Sequence, residues 1–198
     1  MRSQVTTKNG DKGRTVTIAG DALSKSHPVL ECCGDLDALR AETALCRLAL
    51  LDSGRQDAEK LGAFSFWLLH VYFLIGSQCN DPENKHPEYR KEDVSAKHLE
   101  KLEAFQAEFE ATVRLPEKFV VSASNQLAAR VDVLCTTSRR LERSVVRLQE
   151  TVSAFEAEAI LVFMNRLSDC LFMLARVLDD GQFTSLDYGV LGIFESET

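Results

Sequence analysis

Residues 127–152, LAARVDVLCTTSRRLERSVVRLQETV, decide the fold. Leu127, Val131, Leu134, Leu141, Val145, Leu148 and Val152 recur at steps of three and four, broken only by Ser138 between Leu134 and Leu141. That spacing predicts an amphipathic helix. Arg130, Arg139, Arg140, Arg143 and Arg147 ride on it. Arg139, Arg143 and Arg147 repeat at i+4 beside the apolar stripe, with Thr136 and Glu142 next to them. In a chain of net charge −7, such a row reads either as a solvated charged face or as a surface built to meet an anion.

Four more stripes with the same period flank this one. They are Leu36, Leu39, Thr43, Cys46, Leu50; Leu61, Phe64, Leu68, Val71, Ile75; Leu99, Leu102, Phe105, Phe109, Val113; and Ile160, Met164, Leu167, Leu171, Leu174, Leu178. Asp-Ser-Gly at 52–54, the segment Asn80 to Pro87 with its two prolines, and Leu115-Pro116 punctuate them. Only the brief Phe119-Val120-Val121 hints at a strand. The expected class is therefore all-α, a five-helix up-and-down bundle. One domain is expected over 1–198, with an arm at 1–30 and the bundle at 34–180.

Composition narrows the function. An acidic chain of 198 residues with only local basic clusters lacks the broad positive surface that nucleic-acid binding needs. Met1 to Gly20 lack the apolar core of a secretory signal, and the longest apolar run, Ala63 to Ile75, is too short for a bilayer. A soluble cytoplasmic protein, binding neither nucleic acid nor membrane, is expected. The six cysteines form no CxxC pair and read as reduced, packed thiols. His27 with Cys32-Cys33 lacks a fourth ligand at zinc spacing, so a packed turn is expected there and no metal site.

Two segments carry chemistry beside the arginine helix. Thr7-Lys8-Asn9-Gly10-Asp11-Lys12-Gly13-Arg14-Thr15 combines glycines for close backbone approach with hydroxyls and cations, the parts of a phosphate-binding loop or of a flexible basic arm. It lacks Walker A spacing. Residues 6–21 show no helical period and read as loop. In the last helix, Asn165-Arg166-Leu167-Ser168-Asp169 interrupts an apolar run. Asn165 and Asp169, one turn apart, are placed to reach the arginines, either as a buried network or as part of a ligand site.

Together these segments resemble the propanediol-utilisation type of ATP:cob(I)alamin adenosyltransferase. The matching words are TTKNGDKGRT, HPVLECCGDLDAL, LPEKFVVSASNQLAA, TTSRRLER and FMNRLSDCLFMLAR, in the family's order. The resemblance implies a homotrimer with sites at subunit interfaces. ATP would lie between the N-terminal loop of one subunit and the arginine helix of another. Thr7, Lys8, Gly10, Asp11, Gly13, Thr15 and Lys25 would wrap the triphosphate with Mg²⁺, and Arg139, Glu142 and Asn165 would complete the nucleotide site. Phe119 would stand beneath the corrin ring, helping displace the lower axial ligand so that Co(II) can be reduced. Co(I) of cobalamin, a substrate here, would then attack the ribose 5′ carbon and expel triphosphate. Arg139 and Phe119 are thus the expected catalytic pair. A flavin reductase or a cobalamin-dependent enzyme is the implied partner.

The residues agree with that chemistry. A leaving triphosphate gains negative charge, which arginines, lysines and loop amides stabilise, and no Ser-His or Cys-His nucleophile signature is present. The chain departs from the family on the corrin side. Ser122-Ala123-Ser124 replaces Pro-Gly-Gly, Val29 and Cys135 replace arginines, Cys33 replaces a tyrosine, and Asp37-Ala38-Leu39-Arg40 replaces Asp-Glu-Leu-Asn. The family arginine at Cys135 pairs across the interface with the aspartate matching Asp37, and Arg40 or Arg130 is a candidate substitute. The leading reading is a corrinoid adenosyltransferase. The alternative is a non-catalytic carrier of nucleotide or corrinoid, and a purely structural bundle leaves the phosphate loop unexplained.

Overall fold

The computed structural model describes residues 8, 10–115, 117, 119–182 and 184–192. Five long helices form the body: α1 (Pro28–Leu51), α2 (Ala58–Asn80), α3 (Ala96–Thr112), α4 (Gln126–Thr151) and α5 (Glu158–Leu178), with a short α6 (Tyr188–Leu191) after them. The neighbours in space are α1 with α2, α1 with α4, α4 with α5, and α5 with α3. The helix of the opening motif is therefore central, packed on α1 and α5.

Local chemistry starts each helix where it does. His27 accepts the Val29 amide at its Nδ1 (3.2 Å), and Pro28 sits where a missing N–H costs nothing. Asn125 caps α4 by accepting the amides of Leu127 and Ala128, each at 3.0 Å. Ser95 and His98 form a reciprocal capping box on α3. Gly54, at φ 67°, supplies the left-handed residue in the turn between α1 and α2. The predicted stripes become the core: Leu39, Leu50, Leu61, Phe64, Leu68, Leu102, Leu141, Leu148 and Ile160 are essentially without solvent contact.

Four expectations change. The N-terminal stretch read as structureless contains an antiparallel hairpin, β1 (Arg14–Val16) with β2 (Ala22–Ser24), its turn made by Gly20 at φ 81°. Only three residues pair on each side, too few to show an alternating pattern. Second, α1 begins at Pro28, earlier than position 34, because His27 and Pro28 make a start signal that the apolar period does not register. Cys32 and Cys33 accordingly lie in its first turns and not in a packed turn. Third, α2 runs for 23 residues and is by length and composition sufficient to cross a bilayer, although half of its apolar window is buried in the bundle. Its polar ends continue the helix beyond the run seen in sequence. Fourth, the short Phe119-Val120-Val121 run leads into a true strand, β3 (Val120–Ser122), which pairs through a bulge with β4 (Thr184–Ser185) after α5.

Candidate functional site

The loop before the hairpin is folded tightly. Lys8 lies at φ 60° and Gly13 at φ 73°; the Asp11 amide donates to the Lys8 carbonyl (3.3 Å) and the Gly13 amide to that of Gly10 (3.2 Å). The Lys25 amide donates to the Gly13 carbonyl at 2.9 Å, bringing the end of β2 back over the loop. A Cβ at Gly10 would lie 2.9 Å from Lys25 Nζ. The absence of a side chain at Gly10 thus leaves room for the Lys25 ammonium group against the backbone. Lys8, Asp11 and Lys25 are exposed, and Thr15 is half-buried opposite Leu23. Thr7 lies outside the described residues.

Residues that sequence alone did not single out dock the hairpin onto the bundle. Asn80, at the end of α2, accepts the Ile18 amide (2.8 Å) and donates to Cys33 Sγ (3.3 Å). Lys85 spans both oxygens of Asp21 (3.0 and 2.8 Å) and also pairs with Glu83 (2.8 Å). Beneath the hairpin is a polar cleft of about 370 Å³, lined by Thr17, Asp21, His27, Asn80, Lys85 and Thr151 among others. These contacts join residues about 60 apart in the chain, and no local spacing announces them.

The arginine row divides. Arg140 Nε pairs with Asp35 (2.8 Å), whose other oxygen accepts the Ser144 hydroxyl (2.6 Å), and Arg147 pairs with Glu31 (2.7 Å). Thr137 donates to Glu42 at 2.6 Å. Part of the row is thus the seam between α4 and α1. Arg139 and Arg143 are exposed and have no ion-pair partner among the described residues. Arg139 borders a groove of about 320 Å³ between α3, α4 and α5, with Gln106, Glu110, Asp169, Phe172 and Met173. Glu142 is half-buried on the next turn.

Asn165 and Asp169 do not form the buried network that their apolar flanks suggest. Asn165 is exposed, and Asp169 is half-buried and pairs with Arg166 at 3.4 Å. Neither is hydrogen-bonded to an α4 arginine among the described residues. The run is polar on the outer side of α5, while Ser168 on its inner side is buried and accepts the Cys135 thiol at its carbonyl (3.2 Å). Phe119 is 83% exposed, held by its carbonyl accepting the Leu186 amide at 2.8 Å. Asp37 is also exposed and pairs with Arg40 at 2.9 Å.

Within the chain the loop and Arg139 are separate. Thr151 lines the cleft under the hairpin, and Arg139 lies twelve positions earlier on α4, about 18 Å along the axis. No described hydrogen bond, ion pair or cavity joins Lys8, Gly10, Asp11, Gly13, Thr15 or Lys25 to Arg139, Glu142 or Asn165. The described residues also contain no cluster of three His, Cys, Asp or Glu groups able to hold a metal. A magnesium ion fits here only if phosphate oxygens supply most of its ligands, as that ion commonly requires.

The family profile described as cobalamin adenosyltransferase matches residues 5–178. The chain is 32% identical to the corrinoid adenosyltransferase PduO of Salmonella typhimurium over 87% of its own length and 49% of that protein's. It thus spans about half the length of that relative. It is 31% identical to the corrinoid adenosyltransferase of Bacillus subtilis, covering 87% of this chain and 85% of that one. Among solved structures it superposes with a TM-score of 0.80 and 25% identity on a variant of a PduO-type ATP:corrinoid adenosyltransferase from Lactobacillus reuteri complexed with cobalamin and ATP. That match covers 92% of this chain and 95% of the other.

Proposed function

Because this chain belongs to the cobalamin adenosyltransferase family, we propose that it transfers the 5′-deoxyadenosyl group of ATP to Co(I) of a corrinoid. The observation that carries the reading is the loop itself. Lys25 Nζ lies against Gly10, and the chain turns at Lys8 and Gly13, so a glycine-rich turn and an ammonium group stand side by side. That arrangement suits a polyphosphate.

In this account Lys8, Lys25 and the amides near Gly10 and Gly13 hold the triphosphate, with Thr7, Asp11 and Thr15 beside them. Arg139, Glu142 and Asn165 come from a second copy. The cobalt electron pair forms a Co–C bond at the ribose 5′ carbon, the C–O bond breaks, and its electrons leave with triphosphate. Arg139 and the loop cations stabilise the charge gathering on that oxygen. Magnesium, carried on the nucleotide, would neutralise part of the same charge. Phe119 stands exposed as a flat apolar contact for the corrin face.

The separation of the loop from Arg139 within one chain supports a site shared between copies, and the family resemblance makes that assembly a homotrimer. It is supported by the unburied apolar side chains on α1 and α2: Leu45, Leu48, Phe66 and Phe73 are 57, 60, 50 and 61% exposed in the single chain. A cytoplasmic location, with a flavin reductase as electron donor or a cobalamin-dependent enzyme as recipient, fits the same chemistry. The relatives and solved neighbours are named as enzymes, which does not favour the non-catalytic carrier. The test is anaerobic incubation of the protein with ATP and chemically reduced cobalamin. Appearance of the adenosylated corrinoid spectrum is expected. Its absence with folded protein contradicts the reading.

A further inference from the structure

We infer that Ser124 and Asp179 are positioning residues that set the aim of Phe119, an inference that rests on the adenosyltransferase reading. A side chain that is 83% exposed is not held by packing, so its direction is set by the backbone that carries it. That backbone is the edge of a two-stranded ribbon, and such a ribbon is marginal without further support.

Among the described residues the support comes from the C-terminal end of α5. The Asp179 carboxylate, whose side chain has 0% exposure, takes both the Ser124 amide and the Ser124 hydroxyl at Oδ1, each at 2.7 Å. Next to it, Asn125 Nδ2 donates to the Leu178 carbonyl at 2.8 Å. The other strand, β4, begins at Thr184, shortly after Asp179, and the Leu186 amide that follows it holds the Phe119 carbonyl. Both strands of the ribbon are therefore fastened to the same end of α5.

A buried carboxylate persists only when its charge is met. Arg176, 2% exposed, lies with Nε 3.1 Å from Asp179 Oδ2, though off the direction of a good hydrogen bond, while its Nη2 donates to Asp132 at 2.7 Å. Its guanidinium also stacks 5.2 Å from the Phe172 ring centre. The chain Asp132, Arg176, Asp179, Ser124 thus runs from the side of α4 through α5 to the strand that carries Phe119. A glycine at 124, which the family resemblance leads one to expect, would leave only the amide bond. The serine hydroxyl adds a second, charge-assisted bond to the same oxygen.

Ser124→Ala keeps the amide bond and leaves Arg176 and Asp179 paired, so it isolates the hydroxyl. Five proteins are compared: the parent, Ser124→Ala, Ser124→Thr, Phe119→Ala and Ser124→Ala combined with Phe119→Ala. Turnover is followed from chemically reduced Co(I) and from Co(II) reduced in the site by a supplied reduced flavin. In Ser124→Ala the Co(II) route should slow about fivefold, a fraction of what one charge-assisted hydrogen bond is worth, while the Co(I) route and ATP affinity stay within about twofold. Ser124→Thr should restore it. The double variant should be no slower than Phe119→Ala alone, since Ser124 acts only through that ring. Exchange of the Leu186 amide should quicken in Ser124→Ala, with core amides of α1 and α2 unchanged. Equal Co(II) rates in Ser124→Ala and parent, or loss of both routes alike, or additive losses in the double variant, overturn the inference and leave the enzyme assignment standing. A parent that adenosylates neither form overturns both.

Discussion

Arg40 Nη1 lies 2.9 Å from Asp37 Oδ1, one turn along α1, and the same guanidinium sits 4.3 Å from the centre of the Phe73 ring. Asp37 therefore has a cation on its own helix. Cys135, where the family resemblance places an interface arginine, is 6% exposed, and its thiol is held neutral by burial and hydrogen-bonded to the Ser168 carbonyl. With Arg40 in that place, Cys135→Arg is not expected to tighten corrinoid binding. An arginine there enters the buried seam between α4 and α5, where Asp132 and Asp169 already have Arg139 and Arg176 as neighbouring cations. It should lower stability by about 2–4 kcal/mol and leave cobalamin affinity no better. Urea unfolding and cobalamin titration in the presence of ATP check this. A variant as stable as the parent with tighter binding would show that Arg40 does not fill the role.

Lys8 and Arg139 should act on one nucleotide from different chains. Lys8→Ala and Arg139→Ala should each weaken ATP binding by about 1.5–3 kcal/mol, as loss of a charge-assisted hydrogen bond does, without unfolding exposed sites. Calorimetric titration measures both. Mixing the two variants under subunit exchange, at an ATP concentration too low for either alone, should recover part of the activity. No recovery would place both residues in a site made by a single chain.

Removing the exposed ring tests the corrin side by itself. Phe119→Ala should bind ATP as the parent does and convert Co(I) cobalamin with little change, while turnover from Co(II) falls by tenfold or more, on the order of the loss of one well-placed aromatic contact. Equal rates from Co(II) would remove Phe119 from the mechanism.

His98 gives the fold a pH dependence. Its Nδ1 accepts the Ser95 amide at 3.1 Å in the α3 capping box, and burial pushes its pKa down, opposed by Glu92 at 3.7 Å. A histidine with a depressed folded pKa stabilises the native state above its unfolded value and less as pH falls. Thermal stability should therefore decline between about pH 7 and 5, and His98→Gln, which keeps an acceptor, should flatten that decline. An unchanged slope would assign the loss to other groups.

The bundle was legible because its information is local. Leu61, Phe64, Leu68, Val71 and Ile75 repeat with the helix period and are all buried, as are the stripes of α1 and α5, whereas on α3 only Leu102 and Phe109 of the five are. The two ribbons were not, since three-residue strands carry no period and β3 finds its partner about 65 residues later. Arg140 and Arg147 looked the same in sequence as Arg139, yet they are taken by Asp35 and Glu31 on α1. Only packing decides which charge is left for a ligand. Asn80, Lys85 and Asp179 left no trace in spacing because each meets its partner across the fold. Ser124 was visible as a departure, but its purpose depends on Asp179 lying beneath it.

The most direct measurement of the central claim is the phosphorus product. ATP and Co(I) cobalamin are incubated anaerobically with the protein, and the products are followed by phosphorus NMR alongside the corrinoid spectrum. Attack at the ribose 5′ carbon predicts one tripolyphosphate for each cobalt–carbon bond formed, with no ADP. Release of ADP and phosphate, or intact ATP beside unmodified cobalamin, would contradict it.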